Sequence, residues 1–142
     1  MLKFSKGNAK LGKHTLIFNL PAGKTCPAAK LCQSWAVLNN DGKRSIQDGK
    51  HTEFRCFAAS SEVQYDAVYE SRRHNLELIQ DIIVGHVKGY KEHKDLVDLI
   101  DSSLQHHRTK KTELVRIHES GDFFSQYYLA AWLDVANRNP DL

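Results

Sequence analysis

The sequence has no long apolar run and few cysteines, and each shortage excludes a class of protein. Apolar stretches are short, as at residues 82–84, whereas a membrane-spanning helix needs about 20 apolar residues. The first 13 residues are too polar for the apolar core of a secretory signal. The cysteines number three, which leaves no complete set of disulfides and favours reduced thiols. We therefore expect a cytoplasmic protein with no membrane partner.

The overall composition is that of an ordinary folded domain. The 142 residues are 41% hydrophobic and 26% charged, which is enough apolar material for a core and argues against wholesale disorder. We expect residues 1–142 to form a single domain.

Acidic residues are missing from residues 1–40, which carry six lysines and hence a charge of +6. Because the net charge is +3, the remainder carries −3. A basic segment of this kind indicates an anionic partner such as a phosphate, nucleotide or nucleic acid. The candidate basic patch is Lys3, Lys6, Lys10 and Lys13. The alternative is a solvated lysine-rich surface, since lysine is mostly exposed in any protein.

Periodicity and turn chemistry predict alternating strands and helices. Strands are predicted over 14–20, 52–58 and 114–118, helices over 26–36, 60–90, about 96–104 and about 129–136, and a hairpin turn at 39–42. This order predicts an α/β fold with a parallel sheet or a partial (β/α) barrel. The chain ends where another strand is expected, so we expect a truncated N-terminal portion of a longer protein that lacks its C-terminal strands.

The three cysteines are candidate metal ligands. Cys26 lies at the start of the predicted helix, where the helix dipole favours a thiolate, and Cys32 lies in that helix. Cys56 must reach them from a separate strand, and His14 or His51 is near enough to supply a fourth ligand. Three thiolates suit zinc or an iron–sulfur cluster. The alternative is packed, inert thiols.

The segment 116–124, RIHESGDFF, lies at the end of a predicted strand, where α/β sheets bind ligands. Its candidate ligand-binding residues are Arg116, His118, Glu119, Ser120 and Asp122. In the structural alternative, Asp122 or Ser125 caps the following helix and His118 is a hydrogen-bonded core residue.

Three segments together resemble a bacteriophage family called gene product 88, whose function is undefined. They are residues 18–29 (FNLPAGKTCPAA), residues 56–60 (CFAAS) and residues 116–136 (RIHESGDFFSQYYLAAWLDVA). The resemblance implies a longer protein that continues into a further strand.

The family carries a cysteine-rich segment ending in a Cys-Tyr-Ala-like triplet, which implies distant kinship to radical S-adenosylmethionine barrels. In this sequence Ser34-Trp35-Ala36 stands at that place, and serine is a poor substitute for a thiolate iron ligand. Cys56 is the candidate for the missing thiol. Only this distant resemblance implies S-adenosylmethionine as a cofactor.

Two functions from different classes follow. The first is an enzyme-like domain that binds a metal or iron–sulfur cluster, with a ligand site at His118 to Asp122. The second is a phage accessory module that binds nucleic acid or a host protein through its lysine-rich N-terminal third. A purely structural role is a third alternative.

Overall fold

The computed structural model describes residues 1–142 and contains nine elements of secondary structure. The strands are β1 (Phe4–Lys6), β2 (Thr15–Phe18), β3 (Ser34–Leu38), β4 (Arg44–Asp48) and β5 (Leu114–Ile117), and the helices are α1 (Phe57–Gln64), α2 (Asp66–Val87), α3 (His93–His107) and α4 (Gln126–Arg138).

The main sheet has three strands in the order β1-β2-β5. Strand β1 is antiparallel to β2, and β2 is parallel to β5, with Phe18 opposite Ile117. The predicted α/β class is confirmed, and the sheet is mixed, with one parallel pair. It does not close into a barrel.

The central strand β2 is buried along its whole length. Its apolar side chains and those of the helices α2, α3 and α4 form the main core, whose largest members include Phe18, Ile79, Ile100 and Tyr128. The predicted stripe of α3 is part of this core, since Leu96, Ile100 and Leu104 are each at most 2% exposed. None of the four helices combines the length and the apolar character needed to span a bilayer.

The predicted helix over 26–36 is wrong. Residues 21–33 form a series of turns, and Ser34–Leu38 is a strand that pairs with Arg44–Asp48 across the predicted turn at 39–42. The local run Ala28–Leu31 favours a helix, but a segment this short does not hold a helix by propensity alone. Pairing with β4 makes residues 34–38 a strand instead.

The predicted strand over 52–58 is wrong as well. Phe54 and Phe57 are 60% and 78% exposed, and Cys56 is the residue that precedes the first turn of α1. The predicted helix over 60–90 is divided at Tyr65, whose backbone is extended. Arg44 reaches this break, where its guanidinium donates to the carbonyls of Glu62 and Val63 at the end of α1 (3.0 and 3.3 Å).

The side chain of Glu62 connects four segments in the interior. Its Oε1 accepts hydrogen bonds from the backbone amide of Ala22 (2.9 Å) and from Nη1 of Arg72 (2.8 Å). The hydroxyl of Ser120 lies 3.4 Å from the same oxygen. Glu62 and Arg72 are 2% and 9% exposed, so this ion pair is shielded from water and has hydrogen bonds on both partners.

Replacing Arg72 with alanine should lower the free energy of unfolding by about 3–5 kcal/mol, because it leaves the Glu62 carboxylate buried without its counter-charge. Urea denaturation at neutral pH measures the change. The matched control is Arg138→Ala, which removes an exposed ion pair with Asp98 (2.8 Å) and should cost much less, because water screens exposed charges. Equal losses in the two variants would contradict the importance of the buried pair.

Candidate functional site

The loops that follow β2 and β5 are held together by Asn19 and Ser120. Oδ1 of Asn19 accepts hydrogen bonds from the backbone amides of Glu119 and Ser120 (2.7 and 2.9 Å). The Ser120 hydroxyl donates to the carbonyl of Leu20 (2.9 Å). Parallel strands bring their carboxyl ends to one edge of the sheet, and these bonds fix the two loops beside each other there.

His118 is the first residue after β5, and it packs into the aromatic core. Its Nε2 lies 2.8 Å from the Tyr128 hydroxyl, and its ring lies 4.9 Å from that of Phe123. Burial lowers the pKa of His118 to about 4 and raises the pKa of Tyr128. At neutral pH both groups are therefore uncharged, and the tautomer of the imidazole decides whether Nε2 or the phenol hydroxyl donates.

The backbone at His118 has a φ of +68°, which is strained for a residue other than glycine. Gly121, three residues on, also has a positive φ, and a Cβ there would lie 2.6 Å from Oγ1 of Thr25. The loop after β5 therefore needs glycine where it passes the Pro21–Thr25 turn.

The remaining predicted ligand residues do not gather at one point. Arg116 is exposed on β5, and the exposed Glu119 accepts a hydrogen bond from Asn8 (3.0 Å). Asp122 accepts one from the amide of Phe123 (2.7 Å). The cap of α4 is Ser125, whose Oγ accepts from the amide of Tyr128 (3.2 Å).

All three cysteines are free. Cys26 lies near Cys56 and near Asp122. Burial raises the pKa of the Cys26 thiol, and the nearby Cys56 and Asp122 raise it further. Cys32 lies between Leu31 and Gln33, whose carbonyls accept hydrogen bonds from backbone amides of the 49–54 loop. No three histidine, cysteine, aspartate or glutamate side chains are placed to hold a metal ion. The three thiols as positioned do not fit a three-thiolate cluster.

A basic cleft of about 410 Å³ lies at the opposite end of the sheet, where β2 begins. Its polar lining residues are Lys6, Lys13, His14, Thr15, His107, Thr109, Lys111 and Thr112. Two predicted lysines, Lys6 and Lys13, are therefore brought together. Lys3 lines a separate groove with Glu119, and Lys10 lies outside the basic cleft. The contribution of residues 107–112 depends on the β2–β5 pairing and could not be read from the local sequence.

Comparison with known proteins gives one family and one named relative. The profile described as Gene product 88 matches residues 2–142. The "Gene 88 protein" of Mycobacterium phage L5 is 35% identical over 92 residues, which cover 61% of this chain and 35% of that protein. The aligned part is thus about a third of that relative's length. No solved structure matches. Neither comparison supports kinship with radical S-adenosylmethionine barrels.

The buried His118 should make stability fall as the pH falls from about 6.5 to about 4. In this range the unfolded chain, with an ordinary histidine pKa, binds a proton that the folded chain excludes. The loss should be about 2 kcal/mol, less than the full pKa difference implies because the side chain is partly accessible to solvent. Urea denaturation between pH 4 and 7 measures it. His118→Gln should give a flatter profile, and an equally steep one would contradict the assignment.

Proposed function

We propose that this chain, which belongs to the bacteriophage Gene product 88 family, binds the phosphate backbone of a nucleic acid in its basic cleft. The observation that carries the proposal is the convergence of Lys6, Lys13 and Lys111 on one cleft from three separate segments. Phosphate contacts from lysine supply most of the affinity in binding that does not depend on sequence.

The three lysines are available for an external anion. Each is exposed, and none forms an ion pair within the chain. No acidic side chain lines the basic cleft. Glu113, which follows Thr112 in the chain, is paired with His14 (3.0 Å). The cleft therefore carries an excess of positive charge.

Hydroxyl groups complement that charge. The Thr109 and Thr112 hydroxyls are 3.5 Å apart in the turn after α3, and threonine hydroxyls donate well to phosphate oxygens. His107 is anchored beside them by a hydrogen bond to the carbonyl of Leu2 (3.1 Å). A volume of about 410 Å³ is ample for a phosphate and its adjoining sugar.

The triple variant Lys6→Gln, Lys13→Gln, Lys111→Gln should lose most of the binding to labelled single- and double-stranded oligonucleotides. For three phosphate contacts, the slope of log K against log salt should be about −2 for single strands and about −2.7 for duplex DNA, and it should approach zero in the variant. Fluorescence anisotropy over a range of salt concentrations measures both quantities.

The matched control variant is Lys43→Gln, Lys50→Gln, Lys88→Gln, which removes the same charge from exposed positions outside the basic cleft. It should keep the wild-type slope. Equal losses in the two variants would indicate a general charge effect and overturn the proposal. Binding of an acidic host protein with no binding of oligonucleotides would also overturn it.

A second candidate function is metal binding at Cys26 and Cys56. It is supported by the nearness of Cys56 to Cys26, which acts on the pKa of the Cys26 thiol, because two thiolates are donors that zinc accepts. The remaining ligands would come from outside the chain, since no third side chain is placed to complete the set. An iron–sulfur cluster needs more thiolates than this pair supplies, so zinc is the better candidate.

Protein purified without oxygen should then contain about one zinc per chain, measured by elemental analysis alongside iron and acid-labile sulfide. Cys26→Ser or Cys56→Ser should remove the metal, and the control Cys32→Ser should keep it. Metal-free protein with three titratable thiols and unchanged thermal stability would rule out this candidate.

A further inference from the structure

A second cleft, the carboxyl-end cleft, lies where β2 ends and is lined by the Pro21–Thr25 turn, β3, α1, α2 and Phe124. It has a volume of about 200 Å³, which is the size of one small ring system. The geometry points to a binding site for the base of a nucleotide, with Glu62 as the polar contact and Lys24 at the phosphate. This site is separate from the basic cleft, since the two share no residue.

The polar contact is the second carboxylate oxygen of Glu62. Oε1 is occupied by Ala22 and Arg72, whereas Oε2 has no hydrogen bond within the chain. Glu62 is 2% exposed, and the one polar side-chain atom that is fully enclosed without a partner is Nε1 of Trp132. The small exposed area of the Glu62 side chain therefore includes Oε2. Because Glu62 lines the cleft, a ligand there meets a hydrogen-bond acceptor fixed in position by its own partners.

The charge balance favours a neutral N–H donor over a cation. Arg72 already neutralises Glu62, and Arg73 lies 3.9 Å from the exposed Glu77, which also lines the cleft. Lys24 therefore leaves the cleft with a small excess of positive charge. A second cation near these groups would be repelled. The amino and ring N–H groups of nucleobases are neutral donors that carboxylates accept.

The walls of the cleft suit a flat ring. Trp35 and Phe124 are both partly exposed at the cleft, and nucleobases stack on such side chains whatever their sequence identity. Tyr69 is not free for stacking, because the guanidinium groups of Arg44 and Arg73 lie over its ring (5.2 and 5.3 Å). The same contact holds Arg73 at the cleft, where it pairs with Glu77 (3.9 Å). Lys24 is therefore the phosphate contact.

The test uses Trp35 as a reporter. The chain has two tryptophans, and Trp132→Phe leaves Trp35 as the single one. Because the Trp132 indole lies close enough to the Tyr128 hydroxyl to act on its pKa, circular dichroism checks the folding of this variant. Adenosine, guanosine and cytidine 5′-monophosphates are titrated up to about 5 mM, with ribose 5-phosphate as the probe that lacks a base. We expect at least one monophosphate to quench Trp35 saturably, and ribose 5-phosphate to bind at least about tenfold more weakly.

In the same background, Lys24→Gln should weaken monophosphate binding about fivefold. Lys30→Gln, an exposed lysine of the same segment outside the cleft, should leave it unchanged. Glu62→Gln should abolish the preference for the base, with circular dichroism as the check on folding. If that variant unfolds, the comparison of Lys24 with Lys30 still decides the matter.

Any of the following results would overturn the inference: no saturable quenching by any monophosphate, equal binding of ribose 5-phosphate, or equal effects at Lys24 and Lys30. The triple variant Lys6→Gln, Lys13→Gln, Lys111→Gln distinguishes binding at this site from binding in the basic cleft. Loss of monophosphate binding in it would place the ligand in the basic cleft and refute the carboxyl-end site alone. If the same triple variant loses oligonucleotide binding but monophosphates still quench Trp35, the result supports both sites.

Discussion

The buried carboxylate of Glu62 is the interaction on which the arrangement of the chain depends. It joins α1 to α2 through Arg72, holds the turn after β2 through the amide of Ala22, and lies beside Ser120 in the loop after β5. A charge at this depth is tolerated because the Ala22 amide donates to it and Arg72 supplies both a donor and the opposite charge. The Asn19 and Ser120 hydrogen bonds hold the two loops at the carboxyl edge of the sheet to each other, and Glu62 ties that edge to α1 and α2.

The elements that the sequence predicts correctly are those whose structure follows from local chemistry. Ile100 and Leu104 recur at helical spacing, and the 39–42 turn carries its own turn residues, so neither needs information from other segments. The segment from 26 to 58 is different, because its conformation is set by pairing between two of its own strands. Ser34 pairs with Asp48 in the hairpin, and local propensity cannot anticipate such a pairing.

The candidate sites also differ in how far the local sequence predicts them. The order of strands and helices predicted a ligand position at the end of β5, from Arg116 to Asp122. The carboxyl-end cleft lies at the same edge of the sheet, but none of the five predicted ligand residues lines it. Glu62 was not predictable as its polar contact, because a glutamate after two serines is typical of an exposed first turn of a helix. The basic cleft was half predictable: Lys6 and Lys13 share a basic segment, while Lys111 joins them only through the parallel pairing of β2 and β5.

Strand β2 separates the two clefts and makes them independent. Thr15 at its start lines the basic cleft, and Pro21, shortly after its end, lines the carboxyl-end cleft. At about 3.3 Å per residue, the strand alone keeps them roughly 10 Å apart. All four of its residues are buried and it is paired on both edges, so it is a rigid spacer. Effects of substitutions in the two clefts should therefore add, because no shared side chain or flexible segment couples one cleft to the other.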